Sequence, residues 1–72
     1  MPPKVRDLER QLKRAGFRFL PDRGKGSHRW YVHRDFPELI VEVAGNPGSD
    51  AKTYLEKDVR DALKRLDELS RQ

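Results

Sequence analysis

Ser27-His28-Arg29-Trp30-Tyr31-Val32-His33 is followed by Arg34-Asp35-Phe36-Pro37-Glu38 and then by Leu39-Ile40-Val41-Glu42-Val43. Aromatic and β-branched residues crowd both sides of a short polar break that carries a proline, which is the composition of two strands and a turn. A break this short returns the second run beside the first, so the pair is antiparallel. In the second run Leu39, Val41 and Val43 share one face, predicted to be the buried one. The first run has no clean apolar face. His28, Trp30 and Val32 alternate there with Ser27, Arg29, Tyr31 and His33.

Upstream, Phe17 and Phe19 alternate with Arg18 in a short strand that ends at Pro21. Asp22-Arg23-Gly24-Lys25-Gly26 is a turn composition whose two glycines can take positive φ. The three strands therefore form an antiparallel meander. Before them, Val5, Leu8, Leu12 and Ala15 recur at helical spacing, and Lys4, Arg6, Arg10, Lys13 and Arg14 fill the outer side. Pro2 and Pro3 suit the entry of this helix over residues 4–15, and Gly16 stands where a left-handed terminal residue is expected. After the strands, Ala44 to Asp50 reads as a loop. Leu55, Val59, Ala62, Leu63, Leu66 and Leu69 then form a second helical stripe. Thr53 with Glu56 fits a capping box at its start, and Asp58 is a rival start. Residues after Ser70 are expected to fray.

The class is α+β, in the order helix, three strands, helix. Neither helix is stable alone at this length, so both are expected to lay their apolar stripes on one sheet face. The other face is left open to solvent, a partner or a substrate.

The 72 residues make one domain, 1–72, with a thin core. A net charge of +4 and a pI near 9.8 favour polyanionic partners. Charged residues reach 39% of the chain, yet the regular apolar periodicity argues against disorder. Without cysteine there is no disulfide and no thiolate zinc site, a composition that suits a reducing compartment. Two histidines without a clustered ligand motif predict neither metal nor cofactor. The absence of a membrane-length apolar run and of a signal-peptide pattern leads to the expectation of a cytoplasmic domain.

Gly16-Phe17, Lys25-Gly26-Ser27-His28, the aromatic Tyr31 and His33 two positions on resemble the HicA toxin family. Asp35-Phe36-Pro37 and the pattern from Asp50-Ala51-Lys52 through Leu55-Glu56-Lys57-Asp58-Val59 resemble a branch of it, so that the likeness covers roughly residues 5–66. The resemblance implies a fold similar to double-stranded-RNA-binding domains. It also implies an mRNA-cleaving toxin of a type II toxin–antitoxin pair, held in check by a HicB-like antitoxin. The family's catalytic histidine falls on His28. Arg34 stands where a proline often follows His33, and the loop at 45–49 lacks the histidine many members carry, so no second loop histidine is available here. The aromatic at Tyr31 in similar sequences implies that Tyr31 packs under the helices, which leaves Trp30 on the open face beside His28.

RNA contains its own nucleophile, the ribose 2′-hydroxyl, so cleavage needs a base and charge stabilisation. Imidazole is suited to take that proton near neutral pH. Lys25 and Arg29, with backbone N–H groups freed by Gly24 and Gly26, can hold the nonbridging phosphate oxygens, and Ser27 can add a hydrogen bond. His33, a lysine or water can protonate the leaving oxygen. His28 and His33 are an odd number of positions apart, so a regular strand sends them to opposite faces. His33 is therefore expected to close the hairpin structurally. A HicB-like antitoxin is expected to cover His28, Trp30 and Val32. The alternative is a small RNA-binding module that uses the same basic surface without cutting.

Overall fold

The computed structural model describes residues 2–21, 26 and 28–72. Among them the order is α1 (Val5–Arg14), β1 (Phe17–Leu20), β2 (Arg29–His33), β3 (Ile40–Val43) and α2 (Thr53–Ser70). The sheet order is β1-β2-β3, antiparallel throughout. This is the α+β helix–sheet–helix arrangement that the periodicity predicts.

Both helices pack on one face of the sheet. Val5, Leu8 and Leu12 of α1 and Leu55 and Val59 of α2 close over Phe17, Tyr31, Val41 and Val43. Leu12 and Val43 are wholly buried. Leu39 lies just before β3 rather than in it, yet it is buried as its alternation with Val41 and Val43 requires. Its N–H bonds the Phe36 carbonyl, and its own carbonyl accepts from His33 N–H.

The ends of α1 follow from local chemistry. Asp7 accepts the Lys4 backbone N–H at 3.0 Å, which satisfies one of the donors left over at a helix start. At the other end Gly16 has φ +101°, a conformation that L side chains rarely adopt. A Cβ on Gly16 would also stand 2.8 Å from His33 Nε2. Gly16-Phe17 is thus tied to His33 by close approach as well as by backbone conformation.

The start of α2 corrects one expectation. The helix begins at Thr53, not Asp58, but its N-cap is Lys52 and no side-chain cap bond forms. Tertiary anchors set the start in place of the Thr53–Glu56 box. Ala51 is buried and donates its N–H to the Pro3 carbonyl at 2.8 Å, while Lys4 pairs with Asp50 through a backbone bridge and a 2.6 Å ion pair.

Candidate functional site

Strand alternation divides β2 between two environments. Arg29, Tyr31 and His33 point under the helices, whereas Trp30 and Val32 point to the uncovered side with His28, which immediately precedes the strand. The pairings Leu20↔Trp30, Arg18↔Val32, Trp30↔Glu42 and Val32↔Ile40 complete the open face. Tyr31, at 1% exposure, is the aromatic packed beneath the helices. The expected strand register holds.

On the open face the His28 Nδ1 lies 2.8 Å from Glu42 Oε2. A carboxylate only accepts, so the hydrogen of this bond sits on Nδ1, and Nε2 of the neutral ring is left as the lone-pair nitrogen. The imidazole side chain is 53% exposed and within reach of a large ligand. Glu42 escaped the sequence reading. Its signal is the register itself: a hairpin that turns at 34–39 places residue 42 opposite residue 30, one pleat from residue 28.

Arg29 is corrected. Its place next to His28 in sequence suggests a phosphate contact, but the strand turns it to the helix side. There Nε and Nη2 hold the two carboxylate oxygens of Glu9 at 2.9 and 3.0 Å, and Nη2 also donates to the Gly45 carbonyl. The Tyr31 hydroxyl donates to the same carboxylate. Burial alone would raise the Glu9 pKa. Hydrogen bonds from Arg29 and Tyr31, with the charges of Arg29 and Lys13, outweigh burial and hold the carboxyl below its ordinary value. Burial, and then the Glu9 hydrogen bond, push the Tyr31 phenol upward. This network explains why the buried side of β2 is polar in sequence: its charge is matched by Glu9, which lies inside the Val5–Leu8–Leu12 arc of α1.

His33 lies on the face opposite His28, as its parity predicts, and is held there by structural bonds. Nε2 donates to the Ala15 carbonyl at 2.8 Å, and Nδ1 accepts from Asp35 N–H at 3.0 Å. Its ring meets Phe17 edge-on and lies 5.4 Å from that of Phe36. With both nitrogens engaged on the covered face, His33 is no proton donor to a group beside His28. Gly26 has φ +61°, the positive value anticipated for the turn. Gly24, Lys25 and Ser27, proposed from sequence as the phosphate-holding neighbours of His28, lie outside the described residues. Among the described residues no helix is long and apolar enough to cross a membrane.

A three-stranded sheet with two helices on one side and a carboxylate-held histidine on the other defines a small α+β domain with one exposed face built around an imidazole. A model of the HicA toxin of bacterial toxin–antitoxin systems matches residues 5–67, and the chain belongs to that family. No curated protein and no solved structure matches the chain.

Proposed function

We propose that this protein is the toxin of a type II pair and an endoribonuclease that cuts mRNA with His28 as general base. The observation that carries the reading is the His28–Glu42 pair, half exposed on the uncovered sheet face. Nε2 takes the proton of a ribose 2′-hydroxyl, and O2′ attacks the adjacent phosphorus. The P–O5′ bond breaks, leaving a 2′,3′-cyclic phosphate and a 5′-oxygen that takes a proton from water or a lysine. Glu42 holds the ring in the tautomer that exposes Nε2 and stabilises the imidazolium formed by proton transfer. Lys25 and the Gly26-Ser27 backbone, next to His28 in sequence, steady the phosphate oxygens.

The substrate tests the chemistry. An RNA carrying 2′-O-methyl at the scissile nucleotide is expected to resist cleavage, all-deoxy DNA to remain intact, and chelator to make no difference. Cleavage of the methylated RNA points instead to attack by water. Binding of unmodified RNA without cleavage would assign the chain to the non-catalytic RNA-binding reading.

The inhibitor of this toxin is a HicB-like antitoxin that covers His28, Trp30 and Val32. Ile40, 42% exposed, extends the apolar part of this surface from the neighbouring strand. Aromatic residues dominate binding hot spots, and Trp30 lies one pleat from His28. Trp30→Ala is expected to weaken the complex by about 2 kcal/mol, measured by titration calorimetry, with little change in melting temperature. Unchanged affinity removes Trp30 from the interface.

A further inference from the structure

The helix side of the sheet carries a concave surface, a groove of about 590 Å³ between α1 and the edge strand β1. Arg6, Arg10 and Lys13 of α1 line it, Phe19 forms part of its wall, and the Arg29–Glu9 pair belongs to its floor. Positions 6, 10 and 13 lie on one helix face. Their spacing along the axis is about 6 and 4.5 Å, so the three cations form a row along the helix. Like charges at such spacing repel and weaken a helix, a repulsion that a bound polyanion relieves. Arg29 already satisfies Glu9 through two hydrogen bonds, and of the three lining cations Asp7 pairs with Arg10, at 3.7 Å. Among the described residues the groove therefore has positive charge in excess.

Phe19 adds a different signal. It is on the helix-facing side of β1, yet it is 46% exposed because α1 leaves it uncovered. Its ring leans on Tyr31 with 5.9 Å between centroids. An exposed ring beside a row of cations is the pairing that recurs where single-stranded nucleic acids bind, with bases stacking and phosphates on the charges. An acidic peptide uses the cations and has less use for the ring.

We propose that this groove is a single-stranded RNA subsite, separate from the His28 face, with phosphates along Arg6, Arg10 and Lys13 and a base on Phe19. RNA as the ligand follows from the ribonuclease reading above. The two surfaces are joined through the chain, since Arg29 on the groove floor directly follows His28. RNA held in the groove extends past that end of the sheet toward the catalytic face.

Binding of a fluorescent single-stranded oligoribonucleotide to the His28→Ala protein, measured across a salt series, tests the proposal. Combined Arg6→Ala, Arg10→Ala and Lys13→Ala changes are expected to flatten the slope of log affinity against log salt by about 2. Phe19→Ala is expected to cost about tenfold in affinity with the slope unchanged. Phe19→Leu keeps an apolar side chain and loses the ring, so the same loss with a parental melting temperature separates stacking from folding. Parental affinity and slope in the triple variant, or no RNA binding by the His28→Ala parent, overturn the proposal. If the triple variant keeps RNA affinity and loses antitoxin affinity, the groove belongs to an acidic peptide and the RNA assignment falls. Groove-dependent binding by a wild-type protein that cuts no RNA would leave the subsite standing and remove the ribonuclease reading. Cleavage by wild type with groove-independent binding would do the reverse.

Discussion

The His28→Ala protein is expected to lose RNA cleavage by a factor of about 10²–10⁴, the usual contribution of a positioned general base. Growth inhibition should disappear with it. Folding should survive, because His28 lies outside the apolar core and its described bond is to Glu42, a pair with both side chains about half exposed. Pairs in that setting contribute roughly 0–1 kcal/mol. Melting temperature and circular dichroism should therefore match the parent. Glu42→Gln is the companion measurement. The amide oxygen introduced by that change can still accept from Nδ1, but it places no charge opposite the imidazolium. The variant's kcat should therefore fall at least about tenfold with KM unchanged. Parental cleavage by His28→Ala removes the imidazole from the mechanism, whatever the outcome at Glu42.

Arg29→Ala should behave in the opposite way and damage the fold. Removing the guanidinium strands the Glu9 carboxylate, whose side chain is only 10% exposed, with the Tyr31 hydroxyl as its remaining described side-chain partner. Breaking one side of a buried ion pair costs about 3 kcal/mol or more. A small domain holds on the order of 5 kcal/mol in total, so a large fraction of the variant should be unfolded in mild denaturant. The pH dependence carries the same signature. Glu9 is held below its ordinary value of 4.5 in the folded state. Its contribution to stability is therefore whole above that value and is lost as pH falls through the folded-state pKa. Wild type should lose stability along this acid limb, and Arg29→Ala should lose much less there because the pair is already broken. Denaturant melts across the acid range measure both effects. A stable Arg29→Ala protein with weakened RNA binding would return Arg29 to the phosphate contacts.

The parts of this structure that periodicity governs could be read directly from the chain. Val5, Leu8 and Leu12 marked the buried stripe of α1, Gly16 marked its end, and the alternation of Leu39, Val41 and Val43 marked the covered face of the third strand. Two features of the site could not be read in that way. Glu9 and Arg29 each look like solvated charges, and only the packing of α1 across β2 makes them partners twenty residues apart. Glu42 becomes meaningful only once the β2–β3 register sets it diagonally across from His28. The Thr53–Glu56 box failed for a related reason. A local capping pattern was outweighed by the anchoring of Ala51 and Asp50 to the segment before α1.

The strict division of β2 between two faces makes this strand a frame-sensitive element of the molecule. One residue inserted between Val32 and His33, with His33 held by its bonds to Ala15 and Asp35, would reverse the facing of positions 29–32. Arg29 and Tyr31 would then be exchanged for Trp30 and Val32 beneath α1, separating Glu9 from its counter-charge. The same insertion in the loop between β3 and α2 changes no facing within the sheet. Length variation in related chains should therefore collect in the connections and be excluded from β2. Within that strand, a substitution alters one surface, but a shift of frame alters both the fold and the face that carries His28.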